Sequence, residues 1–176
     1  VVIGAGAVGL ELGIFYAKMG SEVTILEAAE TLLPMLDPDI AAVMEKALKN
    51  LNMKLILGAR VLGLQKKDSS GYVKFSTAEG EQVVSAEKIL VGIGRRPNTS
   101  GIGLEKIGVR LDSRGLVEVN SKLETSVPGI YAIGDIVAGH MLAHKASFQG
   151  KVAAEVIAGM PSAYEGVEVP GVIFSD

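Results

Sequence analysis

Three glycines at fixed spacing, Gly4-x-Gly6-x-x-Gly9, stand between an apolar triplet and a run of helical periodicity. In that setting the first glycine allows a tight turn and the second lets backbone approach a pyrophosphate. The third lets the helix lie close to the strand. Ala7 and Val8 then open a helix whose N-terminus supplies unpaired amides and the positive end of a dipole. With 22 glycines in the chain the spacing alone is a weak signal, and a structural glycine turn is the plain alternative; the strand–turn–helix context gives it weight. Glu27 ends the next apolar strand pattern. A carboxylate there accepts from the ribose hydroxyls of an adenosine and repels a 2′-phosphate, and residues 28–37 hold no Arg or Lys to neutralise one. The pattern predicts NAD rather than NADP; a solvated strand-end carboxylate is the plainer reading of Glu27 alone.

Two further carboxylates are ambiguous on the residues alone. Glu11 falls among Leu10, Leu12 and Ile14, where a carboxylate directed to the core is costly unless paired. Periodicity allows a solvent-facing position equally. Asp135 closes the apolar stretch Ile130-Tyr131-Ala132-Ile133-Gly134-Asp135. As a bare acceptor beyond a strand end it suits a polyol hydroxyl, but a turn aspartate is the simpler reading. His140 and His144 are four apart, the spacing of a metal pair on a helix. A helix that starts between them and the lack of a third ligand nearby argue against a metal, and none is expected.

These groups need elements to hold them. Residues 1–3 read as a strand and 7–19 as a helix with Leu10, Ile14 and Ala17 on one side, closed by Gly20 at C′. Residues 22–26 read as a second strand. Asp37 and Pro38 fit the N-cap and first position of a helix that runs to about Leu51, before a third strand at 54–57. This order predicts a right-handed, Rossmann-like parallel α/β unit. The period then changes to two: 60–66, 72–77 and 82–85 predict a three-stranded antiparallel meander with Ser-Gly and Glu-Gly turns. The apolar residues 88–91 could rejoin the parallel sheet. Glycine, proline and polar residues from Gly92 onward suggest a domain crossing near Arg95, Pro97 and Asn98. Strands at 116–119 and 130–133 and a small-residue helix at 142–158, closed by Gly159 and Pro161, complete the reading.

Bulk properties remove other classes. Seventeen basic residues against twenty acidic, with no basic cluster, give nucleic-acid binding nothing to rest on. No apolar run is long enough to span a bilayer, so an intracellular location is the expectation. The absence of cysteine excludes disulfides, thiolate metal sites and thiol chemistry within these residues. The chain opens inside the apolar run Val1-Val2-Ile3 and stops just after another, which reads as a piece of a longer protein.

Three stretches, Gly4-Ala5-Gly6-Ala7-Val8-Gly9-Leu10-Glu11, Val91-Gly92-Ile93-Gly94-Arg95-Arg96-Pro97-Asn98 and residues 125–135, occur in an order and spacing that resembles the pyridine nucleotide–disulfide oxidoreductase family. The resemblance covers essentially the whole chain. Met141-Leu142-Ala143-His144-Lys145-Ala146 is most similar to the branch that oxidises dihydrolipoamide. The resemblance implies an NAD-binding domain at 1–95, a returning segment of an FAD-binding domain at 96–168 and the start of a dimerisation domain at 169–176. It implies that Glu11 sits near the flavin–nicotinamide contact, paired with a lysine outside this chain, and that Gly92 and Gly94 line the NAD channel. Asp135 would bind the FAD ribityl chain beside Met141, with Leu142 and Ala143 offering amides near the flavin ring. Ala7 departs from relatives that place a bulky residue over the nicotinamide pocket. The implied parent is a cytoplasmic homodimer (in the mitochondrial matrix if eukaryotic) that oxidises lipoyl carrier domains of 2-oxo acid dehydrogenase complexes with FAD and NAD⁺. Its catalytic cysteines and histidine lie outside this chain. An NAD(P)H oxidase, another disulfide reductase or an inert nucleotide-binding module are the alternatives.

Overall fold

Neighbouring residues of a strand face opposite ways, and in the first strands both faces are apolar, so the sheet they build is covered on both sides. The computed structural model describes residues 1–67 and 70–175. Its chain divides into two units, Val1–Gly94 with Val172–Asp176 and Arg95–Gly171. The first contains β1 (Val2–Ile3), α1 (Ala7–Lys18), β2 (Thr24–Leu26), α2 (Pro38–Asn50), β3 (Lys54–Ile56), β4 (Arg60–Lys67), β5 (Ser70–Thr77), β6 (Gly80–Ala86) and β7 (Leu90–Val91). A parallel sheet has the order β3-β2-β1-β7, with Val2 opposite both Ile25 and Leu90. The expected return of 88–91 to this sheet is made by Leu90 and Val91. The meander β4-β5-β6 is antiparallel, with a register irregularity between Val61 and Gly63. Ser70 and Gly71, expected as a turn, belong to β5; the connecting Asp68 and Ser69 lie outside the described residues.

The alternation is visible in the core. Val2 and Ile25 cluster with Leu10 and Ile14 of α1 and Met44 and Leu48 of α2. Their neighbours Ile3 and Leu26 cluster instead with Ala59, Val73 and Phe75. Helices therefore cover one face of the sheet and the meander covers the other. Each fully buried side chain of this size contributes about 1.5–3 kcal/mol. α1 ends as its sequence predicts: Gly20 takes φ +93°, its amide bonds Ala17 O and that of Ser21 bonds Tyr16 O. Asp37 does sit at the N-cap of α2 with Pro38 first, but its carboxylate makes no capping bond.

The second unit holds short 3₁₀ turns at Glu105–Ile107 and Gly134–Ile136 and the helix α3 (Ala143–Ile157). The strands expected at 116–119 and 130–133 are single bridges, Val117 with Leu111 and Val137, and Tyr131 with Glu124. The physical reason is local competition. Asp112 Oδ1 accepts the Arg114 and Leu116 amides at 2.8 and 2.9 Å, and Asn120 Oδ1 accepts those of Lys122 and Glu124 at 2.9 and 3.1 Å. Side-chain oxygens thus take amides that a ladder needs. Val109, Val117, Ala132 and Val137 form one core of this unit; Leu123, Val152 and Ala153 form another. No helix among the described residues is long and apolar enough to cross a membrane.

Candidate functional site

The three glycines of the first motif do different things. A Cβ on Gly9 would lie 2.0 Å from Gly4 O, and one on Gly4 would lie 2.6 Å from Gly92 O. One on Gly92 would meet Gly9 Cα at 3.3 Å. Gly4, Gly9 and Gly92 therefore pack backbone against backbone. Gly6 is the opposite case: it is extended, and an added Cβ would meet nothing within 4 Å. Gly94 is likewise open, at φ +104°. The α1 ladder starts with Leu10 N donating to Gly6 O at 2.9 Å, so the amides of Ala7, Val8 and Gly9 stand ahead of it.

Glu27 follows β2 directly and is half-buried beside this loop. Its carboxylate accepts the Ala5 amide at 2.6 Å on one oxygen and the Ala29 amide at 2.8 Å on the other. A carboxylate has about four acceptor positions, so the two bonds fix its orientation and leave capacity for two hydroxyls. An open glycine, a first turn of free amides and an oriented carboxylate together suit the diphosphate and ribose of a dinucleotide. Glu11 is half-buried rather than directed into the core, because its Oε1 finds a donor at the surface, the Phe174 amide at 3.0 Å.

In the second unit Asp135 lies in the 3₁₀ turn, not at a strand end, and it is not a bare acceptor. Arg95 Nη1 meets its Oδ2 at 2.8 Å, and the other terminal nitrogen of Arg95 donates to Met141 O. Both side chains of the ion pair are substantially exposed, so the pair is weak and open to exchange with a ligand. Arg95 is the group the sequence reading missed; the signal was a cation in the Gly-Arg-Arg-Pro crossing, with nothing local to name its partner. Leu142 also differs from expectation. Its amide turns back onto His140 O at 3.0 Å, which leaves Ala143, first residue of α3, to present the amide. Lys145 and Gln149, unremarked in the sequence, are 2% and 1% exposed. Burial pushes the Lys145 ammonium below the usual lysine range, and the Asp135 carboxylate restores part of the shift. His140 precedes α3 and His144 lies in its first turn, with Nε2 at 2.9 Å from Pro170 O. Among the described residues no group of three metal-ligating side chains occurs. The exposed Asp135 carboxylate and the start of a 15-residue helix suit a polyol and the polar edge of a ring.

A glycine-loop parallel unit, a three-stranded meander and a second small unit that contains a Gly-Asp turn together define a nucleotide-binding type of α/β chain. It belongs to the family described as pyridine nucleotide-disulphide oxidoreductase, whose model matches residues 1–150. Among curated relatives, a dihydrolipoyl dehydrogenase of Geobacillus stearothermophilus is 47% identical over 100% of this chain and 37% of its own length. One from Thermus scotoductus is 45% identical over 99% of this chain and 38% of its own. Among solved structures, LpdA from Mycobacterium tuberculosis is 31% identical, with a TM-score of 0.82 over 92% of this chain and 34% of that one. The HOCl-induced flavoprotein disulfide reductase RclA from Escherichia coli is 27% identical, with a TM-score of 0.83 over 93% and 37%. The chain thus spans well under half the length of the relatives it matches. The family and its dihydrolipoyl dehydrogenases are oxidoreductases that use FAD and NAD.

Proposed function

We propose that this chain is the NAD-binding part, and a returning piece of the FAD-binding part, of a dihydrolipoyl dehydrogenase. Residues 1–95 bind NAD, 96–168 belong to the flavin domain and 169–176 begin the dimerisation domain. The observation that carries the cofactor choice is Glu27, oriented by the Ala5 and Ala29 amides beside the open Gly6. The substrate rests on the identity to dihydrolipoyl dehydrogenases along the whole chain.

In this reading Gly6 admits the pyrophosphate, the Ala7, Val8 and Gly9 amides donate to it, and Glu27 accepts the adenosine ribose hydroxyls. Gly92 packs against the loop, and Gly94 and Glu11 border the nicotinamide end. Asp135 accepts ribityl hydroxyls beside Met141 and Leu142, and the Ala143 amide faces the ring. Bound flavin supplies two-electron transfer between a dithiol and the nicotinamide; the protein supplies position and electrostatics. The whole protein is a homodimer acting on lipoyl carrier domains. Its place is the cytoplasm, or the matrix in a eukaryote, as for a mitochondrial relative from Arabidopsis thaliana.

Calorimetric titration tests the nucleotide site: NADH binds at least about tenfold more tightly than NADPH, since a 2′-phosphate must face Glu27. Equal affinities would overturn the role of Glu27. The likeness to RclA supports a second reading, another disulfide reductase of the family. Assay of the longer protein with dihydrolipoamide and NAD⁺ separates the two, since absence of turnover there would leave the second.

A further inference from the structure

α3 carries two polar side chains into the interior one helical turn apart. Lys145 and Gln149 are almost fully buried, as are Val152 and Ala153 further along the same helix. Both polar groups reach a single backbone turn, residues 134–139. Gln149 Oε1 accepts the Gly134 amide at 2.8 Å. Lys145 Nζ donates to Ala138 O at 3.1 Å, with Val137 O at 3.5 Å. Between them Ala146 bears on the turn, for a Cβ added to Gly134 would lie 3.3 Å from its own Cβ. Gly134 itself is left-handed, at φ +76°.

Burying an ammonium and an amide is costly, and apolar residues of similar volume would fill the same space without that cost. What the polar pair adds is direction: satisfied buried hydrogen bonds specify one backbone geometry where an apolar contact tolerates several. The backbone so specified carries Asp135. Arg95 reaches the Asp135 carboxylate itself, through an exposed and exchangeable pair. Lys145 and Gln149 instead hold the main chain and leave the carboxylate oxygens free.

We propose that Lys145 and Gln149 are positioning residues for flavin binding, fixing the 134–139 turn from within so that Asp135 presents its carboxylate to the ribityl hydroxyls. The assignment rests on the flavin reading of Asp135 given above.

The test uses the full-length flavoprotein with Lys145→Met, Gln149→Leu, Gln149→Glu and Asp135→Ala. Gln149→Glu keeps an acceptor for the Gly134 amide and stands four residues from a lysine. FAD affinity of the stripped protein is measured by quenching of flavin fluorescence, alongside amide exchange over 134–139 and NADH affinity. Lys145→Met and Gln149→Leu weaken FAD by roughly tenfold or more and speed exchange across the turn, as expected for loss of a buried bond. NADH affinity stays within about twofold, and Gln149→Glu returns FAD affinity to within about threefold of wild type. Unchanged FAD affinity in Lys145→Met and Gln149→Leu, with flavin lost in Asp135→Ala, would overturn the positioning role. Full FAD affinity in Asp135→Ala would overturn the flavin reading of Asp135, and this assignment with it. Should Lys145→Met not fold, Gln149→Leu against Gln149→Glu decides alone: equal FAD affinity in the two rejects the assignment, and a gap of about tenfold supports it.

Discussion

Gly6 and Gly9 belong to one motif and yet predict opposite phenotypes. An alanine Cβ at Gly9 runs into the Gly4 carbonyl, which is backbone and cannot swing away. Gly9→Ala therefore costs about 3 kcal/mol or more and lowers the melting temperature of the chain. Gly6→Ala meets open space, so stability moves by no more than about 0.5 kcal/mol while NADH affinity falls about tenfold through lost approach of the pyrophosphate. Parallel melting and NADH titration of the two variants separate a packing glycine from a ligand glycine, and a Gly6→Ala chain with full NADH affinity refutes the second role. Glu27→Arg carries the same logic to specificity: it removes the ribose acceptor and adds a charge suited to a 2′-phosphate. The ratio of NADH to NADPH affinity should fall by about tenfold or more; an unchanged ratio counts against Glu27. These residues were legible in the sequence because their partners are local or lie on the next strand. The Arg95–Asp135 pair was not, since its members are 40 positions apart and no periodicity links them.

Elements with strong periodicity were read correctly. α1, α2, α3 and the three meander strands form where the sequence places them, and the end of α1 followed from Gly20. The misreadings came where side chains compete with backbone. The strands expected at 116–119 and 130–133 gave way to two turns built on Asp112 and Asn120, whose side-chain acceptors the hydropathy pattern does not register. The Asp112 turn has a titratable centre. The Leu116 amide foremost holds its carboxyl below the ordinary 3.8; desolvation opposes it, and the Arg114 amide and guanidinium add to the lowering. Its folded pKa lies below its unfolded one, so its contribution to stability is present above about pH 3.8 and is lost as pH falls through the folded value. The protection factor of the Leu116 amide, taken against its intrinsic exchange rate at each pH, should fall on acidification through that window, and Asp112→Asn should flatten the response. An acid limb identical in the two proteins would remove Asp112 as its source.

For the molecule as a whole, the missing chemistry is as informative as the groups in place. Thiol–disulfide exchange needs a thiolate, and the 176 residues contain no cysteine. The chain alone is therefore expected to show no dihydrolipoamide:NAD⁺ turnover with FAD added, and to purify without stoichiometric flavin; a yellow, active preparation would contradict the proposed division of labour. The sheet order also bears on how such a chain is made. Val2 pairs with Ile25 on one side and with Leu90 on the other, whereas the meander closes through neighbours such as Thr77 and Gly80. Local closures cost less entropy and come first. On the ribosome, β1 emerges before its second partner and must wait for the entire meander to be translated. Until Leu90 is out, β1 offers one open edge of an apolar parallel sheet, the kind of edge to which a strand of another nascent chain can add.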